Sequence, residues 1–153
     1  MPSRREMIRM SDAEVAAFIE GQKTLQLATI DKDGTPHLVA MWYGILDGKI
    51  VIETFEKSQK AVNLRRDPRL TCLLESGTEY NQLKGVQIKG RASLVTDPAE
   101  VVKCMKLVLA RNHEMDEKTL ELAAQHGAKK RVAAVIEPVK IVSWDHTKLD
   151  VAY

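Results

Sequence analysis

Apolar and polar residues alternate with a period of two through much of this chain, and short helical stretches break the alternation. In the segment 24–30, Leu25, Leu27 and Thr29 fall on one side, as in a half-buried strand. Asp33-Gly34 supplies a turn, and 37–46 follows as a second strand. Asp47-Gly48 is a tight turn into a third, 49–54. Two Asp-Gly turns joining β-rich runs predict an antiparallel meander. Residues 70–75 read as a fourth strand. Residues 86–95 read as a fifth, with Val86, Ile88, Gly90, Ala92 and Leu94 on one face. A sixth runs over 131–144, and Pro138 inside it points to an edge or a bulge.

Helical signals sit between these runs. Ser11-Asp12-Ala13-Glu14 is a capping box, Val15, Phe18 and Ile19 share the face that follows, and Gly21 is a stop. A helix after Thr54 turns Ala61, Val62 and Leu64 inward and ends at Asp67-Pro68. Asp97-Pro98-Ala99-Glu100 starts another with an N-cap, a proline at the first helical position and a glutamate, and Val101, Met105, Val108 and Leu109 form its apolar stripe. A further helix covers 116–125 and closes near Gly127. The expected fold is mainly β (α+β): a six-stranded antiparallel barrel with peripheral helices. It forms a single domain over 1–153, with no internal repeat or linker.

Composition narrows the function. With 23 basic and 21 acidic residues the net charge is only +2, which argues against general electrostatic binding to nucleic acid. Aromatic residues make up 5% of the chain, too few for a base-stacking sheet. No apolar run approaches ~18 residues, so no span of a membrane is expected. Met1-Pro2-Ser3-Arg4-Arg5-Glu6 lacks the apolar stretch of a signal peptide, and the protein is expected to be cytoplasmic. Cys72, in an apolar strand, and Cys104, on a helix face, read as buried thiols in a reducing compartment. His37, His113, His126 and His146 show no ligand spacing, so no metal site is expected. G-x-S-x-G and Walker-type loops are absent, which leaves covalent hydrolase chemistry unsupported.

The informative stretch is 54–68, where a strand ends and a helix begins. Lys57 and Lys60 lie three apart, Ser58 can cap the helix and donate to an anion, and Arg65, Arg66 and Arg69 extend the positive charge. Lysines, a hydroxyl and first-turn N–H donors at one helix start are what holding a phosphate requires. A solvated basic helix face has the same composition, and charge alone does not separate the two. Trp42 and Trp144 likewise read either as core or dimer packing, or as a wall against a planar cofactor.

The stretch Ala28-Thr29-Ile30-Asp31-Lys32-Asp33-Gly34-Thr35-Pro36-His37, then Val51-Ile52-Glu53-Thr54, then the run from Lys57-Ser58-Gln59-Lys60 to Asp67-Pro68, resembles the flavin-binding split β-barrel of the pyridoxamine 5′-phosphate oxidase-like proteins. Gly85-Val86-Gln87-Ile88-Lys89-Gly90-Arg91-Ala92 is similar to that family's later strand, and Val142-Ser143-Trp144 to its terminal strand. The form of 58–69 looks closest to the flavin/deazaflavin oxidoreductases of the B group, many of which use coenzyme F420 and others FMN.

That resemblance implies a homodimer with a cofactor groove at each subunit interface. Leu38, Val39, Ala40, Met41, Trp42 and Tyr43 would line the ring, largely through their backbone, and Glu53 and Thr54 would flank the ring or its ribityl chain. Lys57, Ser58, Gln59 and Lys60 would hold the phosphate, and Trp144 would close the site from the other subunit. The implied function is an F420-dependent reductase exchanging a hydride with an electron-poor small organic substrate. FMN is the alternative cofactor, and a non-catalytic flavin or haem carrier, with His146 as the candidate axial ligand, the alternative role.

Two departures bear on this. Pyridoxamine phosphate oxidases carry Arg-Lys where this chain has Gln59-Lys60, and an Arg-x-His pair near the C-terminus where it has Trp144-Asp145-His146. Vitamin B6 oxidation is therefore disfavoured. The family's partner-subunit glutamine falls at Gly85, with Gln87 nearby. Proton delivery is open between solvent, Tyr43 and His37, and a polyanionic cofactor tail could lie over Lys57, Arg65 or Lys129-Lys130-Arg131.

Overall fold

A computed structural model describes residues 1–149. Residues 150–153, part of the expected single domain, lie outside them. Among the described residues there are five α-helices: α1 (Arg4–Met7), α2 (Asp12–Gly21), α3 (Gln59–Arg66), α4 (Pro98–Asn112) and α5 (Glu117–Gly127). The strands are β1 (Thr24–Ile30), β2 (Pro36–Trp42), β3 (Gly44–Leu46), β4 (Lys49–Phe55), β5 (Arg69–Ser76), β6 (Lys84–Val95) and β7 (Arg131–Asp145). All pair antiparallel in one sheet of order β2-β1-β5-β6-β7-β4-β3, which curls into a half-barrel.

Seven strands replace the expected six because 37–46 is not continuous. It breaks at Tyr43, so β2 pairs with β1 while β3 pairs with β4 at the opposite end of the sheet. The meander reading fails at the same point. Tyr43 is wholly buried, and its hydroxyl reaches the Ile19 carbonyl and lies 2.9 Å from that of Gln22, at the end of α2. Gly44 follows where α4 presses on the backbone, since a Cβ there would stand 2.9 Å from that of Leu107. The chain thus crosses from one sheet edge to the other through a side-chain anchor and a glycine.

The inner face of the half-barrel is the core: Leu25 and Leu27 of β1, Ile52 of β4, Leu74 of β5, Val86 and Ile88 of β6 and Ile136 of β7. Val15, Phe18 and Ile19 of α2 close onto this cluster, and the expected capping box is present, with Ser11 N–H donating to Glu14 at 2.6 Å. A second cluster joins Cys104 of α4 to Val51 and Ala133 on the outer face of β4 and β7. Pro138 marks a bulge rather than an edge. The β6–β7 register slips between Lys89 and Gly90, and a Cβ on Gly90 would meet the Glu137 carbonyl at 2.6 Å. No described helix is long and apolar enough to cross a membrane.

α3 buries a different face from the expected one. Ala61 and Leu64 point inward, but Val62 is 44% exposed and the third buried residue is Asn63, at 0%. Its amide donates to Thr29 Oγ1 (3.0 Å) and Asp31 Oδ1 (2.8 Å), and its carbonyl accepts from Gln59 at 2.8 Å and Arg66 at 3.3 Å. A buried carboxamide with every partner supplied is tolerated, whereas stranding those partners is costly. Asn63→Ala is therefore expected to lower unfolding free energy by about 2–3 kcal/mol, read by urea denaturation. A change under about 0.5 kcal/mol would show that the network carries no weight.

Candidate functional site

β4 runs to Phe55, a three-residue turn follows, and Ser58 caps α3. Its N–H donates to the Phe55 carbonyl (3.0 Å), and its Oγ accepts from Ala61 N–H (3.3 Å) and lies 3.0 Å from the buried Thr54 hydroxyl. The helix start is thereby fixed to the strand end. Gln59 and Lys60 occupy the first turn, whose N–H groups have no intrahelical acceptor and sit at the positive end of the helix dipole. Lys60 is half-buried, and burial pulls its ammonium below the ordinary lysine range. Arg131 adds to that effect, and the Glu53 carboxylate opposes it. An anion at the helix start would offset both the burial and the crowded positive charge. Lys57 stands exposed at the rim.

The other phosphate candidate is committed elsewhere: the Gln59 amide donates to Asn63. Glu53 is paired as well. Its carboxylate takes Arg131 Nη1 at 2.6 Å, and both side chains are largely buried. Arg131 opens β7 directly opposite Phe55, with its guanidinium 3.9 Å from the centre of that ring. Arg131 was visible in sequence only as the last residue of a basic run. Its pairing with Glu53 depends on β4–β7 register, which no local signal encodes.

β2 is the terminal strand of the sheet, so one of its edges carries no ladder among the described residues. Val39 and Met41 turn inward, while Leu38, Ala40 and Trp42 stand on the outer face. Leu38 is 65% exposed, and Trp42 packs edge-on against His113. An open strand edge offers unpaired N–H and C=O groups to a planar heterocycle. The start of β2 lies beside α3, because Asn63 bonds Thr29, the cross-strand partner of His37. His37 Nδ1 is buried and has no hydrogen-bond partner among the described residues. Tyr43 does not share this setting. Its hydroxyl donates to the carbonyls of Ile19 and Gln22 at the end of α2, and burial raises its pKa.

Trp144 lies far from α3 in its own chain. β7 meets β4 at Arg131, and Trp144 is at its other end, on the order of 40 Å along the strand. There the indole covers Gly85, where a Cβ would collide with the ring. Gln87 is two residues further along β6, opposite Val142. His146 packs edge-on against Tyr80, with Nδ1 2.9 Å from the Tyr80 carbonyl. The Lys129-Lys130 turn meets the site's rim: Lys130 O accepts from Glu56 N–H (2.9 Å), and Phe55, Glu56, Lys57 and Lys130 line a cavity of ≈380 Å³. Cys72 and Cys104 are free and buried, and burial pushes Cys72 to about 12. Among the described residues no three His, Cys, Asp or Glu side chains converge as metal ligands.

Burial of Lys60 gives a signed pH prediction. A lysine whose pKa is lower folded than unfolded costs stability while it is charged, and the cost fades as pH rises through the lowered value toward the ordinary one. Ligand-free Lys60→Met should therefore melt above wild type at pH 7, with the gap narrowing toward about pH 10. A lower melting temperature at pH 7 would contradict the assignment.

Solved structures of other proteins share this architecture, and three of them are informative. The conserved hypothetical protein Rv2991 from Mycobacterium tuberculosis superposes with a TM-score of 0.93 at 42% identity, covering 99% of this chain and 95% of that one. An F420 reductase, at 20% identity and TM-score 0.62, covers 92% of this chain and 98% of that one. HutZ, the haem storage protein from Vibrio cholerae, gives 18% and 0.66, covering 86% and 95%. The last two establish the fold alone. No protein of curated function matches the sequence. The profile of the pyridoxamine 5′-phosphate oxidase family matches residues 11–145. With that match spanning nearly the whole half-barrel, from the cap of α2 to the end of β7, the chain belongs to the pyridoxamine 5′-phosphate oxidase family.

Proposed function

We propose that this protein is a coenzyme F420-dependent oxidoreductase that exchanges a hydride between the deazaflavin and an electron-poor small organic substrate. The observation that carries the reading is the juxtaposition of a capped, cation-bearing helix start at Ser58–Lys60 with the open edge of β2. The family supplies the flavin-type cofactor class, and the fold likeness to an F420 reductase supports the deazaflavin. Gln59 agrees with this choice. It stands where pyridoxamine phosphate oxidases carry an arginine, and its amide is tied to Asn63.

When bound, the deazaflavin supplies the hydride chemistry. The protein's part is to bind, orient and exclude water. The first-turn N–H groups, Ser58 and Lys60 hold the phosphate, and Lys57 adds charge at the rim. The backbone of β2, from Leu38 to Trp42, orients the ring, with Val39 and Met41 anchoring the strand to the core. Tyr43 is left to hold the crossing.

A homodimer belongs to this proposal. Leu38 (65% exposed), Trp42 (44%) and Val139 (72%) leave apolar area on the outer sheet face, and a second copy would cover it and bring its Trp144 to the ring.

Fluorescence titration with F420 and FMN side by side tests the reading. F420 should bind more tightly. Lys60→Met and Lys57→Ala should weaken it, Lys60→Met by ~10-fold or more. Light scattering on the same samples should give a dimer rather than a 17.2 kDa monomer. Tighter FMN binding would move the assignment to a flavin enzyme. Unchanged affinity in both lysine variants would remove the phosphate from α3, and a Soret band in the purified protein would indicate a haem carrier.

A further inference from the structure

The charges around the α3 start do not balance. Lys60 and Arg131 face one carboxylate, that of Glu53, and the Gln59 amide is already used. Arg131 is poorly served by this arrangement. Among the described residues only its Nη1 carries a hydrogen bond, to Glu53 Oε2 at 2.6 Å, and its Nε is buried without a partner. A guanidinium presents five N–H donors in a planar fork suited to two oxygens of a phosphate. Here one prong is satisfied and a buried N–H is left over, an arrangement that ordinarily costs free energy. The plane is held in place by the Phe55 ring, 3.9 Å away, and Phe55 is the strand residue whose carbonyl accepts the Ser58 N–H. Arg131 and the helix cap are therefore attached to the same end of β4.

We infer that Arg131 is the second phosphate-binding cation of this site, and that Glu53 is its counter-ion in the ligand-free protein, displaced or shared when a phosphate ester binds at the α3 start. This rests on the reading above that α3 holds a cofactor phosphate. It assigns to β7 the role left vacant by Gln59. It also explains why a carboxylate stands beside a site that must take an anion: without a ligand, two half-buried cations with no carboxylate would repel. The exchange is one of ion-pair partners, with no covalent step.

The consequence is an opposite sign for the two members of one ion pair. In titrations of the full-length protein with F420 and FMN, Arg131→Gln should weaken binding by ~10-fold or more. Glu53→Gln should tighten it, because the competing anion is gone. Arg131→Lys should fall between Arg131→Gln and wild type. The double variant Glu53→Gln/Arg131→Gln leaves no unpaired charge and guards against misfolding of the single variant. It should bind as weakly as Arg131→Gln. If the pair only braces β4 against β7, both single variants weaken binding together and the double variant restores it, which would overturn the inference. Binding within twofold of wild type in Arg131→Gln would overturn it as well. A wild type that binds neither cofactor would overturn the α3 reading itself, and this assignment with it; a wild type that binds while Arg131→Gln is unaffected refutes only the role of Arg131.

Discussion

The carboxamide of Asn63 fixes the position of α3, and the geometry of the site follows from it. Four hydrogen bonds converge on a side chain with no solvent exposure, joining the helix to Thr29 and Asp31 at the end of β1. The capping hydroxyl of Ser58, the first-turn N–H groups and Lys60 are carried by the same short helix. An eight-residue helix has little stability of its own. Its orientation comes from this buried polar contact together with Ala61 and Leu64, and the direction in which its positive end points is a tertiary property.

The second determinant is the crossing at Tyr43 and Gly44. Tyr43 fills the core and bonds the end of α2, and Gly44 lets α4 approach closely. β2 and β3 thus lie at opposite ends of the sheet. The open outer edge of β2 and the capped start of α3, on which the proposed site rests, are brought side by side by β1, which pairs with β2 and bonds Asn63 through Thr29.

Much of this was legible locally. The capping box of α2, the Asp97-Pro98 start of α4, the Ser58 cap and the bounds of β1 rest on interactions within a few residues, and the sequence carries them. Long-range pairings were not legible. Residues 37–46 are an almost continuous apolar run, so no polar residue marks Tyr43 as the place where the chain changes edges. Val62 was placed inward on helical spacing, but Asn63 is preferred there because Thr29 and Asp31 await it from thirty residues away. The bond from the Gln59 side-chain amide to Asn63 likewise shows only once Asn63 is known to be buried. Glu53 and Arg131 meet only through β4–β7 register. The strand end, the capping hydroxyl and the helix start at 54–60 needed no such knowledge, because they are contiguous in the chain.

The fold accommodates several chemistries, and family membership does not choose among them. What does choose is where an anionic cofactor comes to rest. A second cavity, of ≈470 Å³, opens on the outer face between Ala28, Ile30 and Val139, and Arg69, Lys89 and Arg91 give it positive charge of its own. A crystal structure of the protein soaked with F420 decides between them. The expected density has the phosphate against the Gln59 and Lys60 N–H groups, within reach of Ser58 and Lys60, and the ring along the free edge of β2. A phosphate seated instead among Arg69, Lys89 and Arg91, with the start of α3 empty, would contradict the assignment of the site.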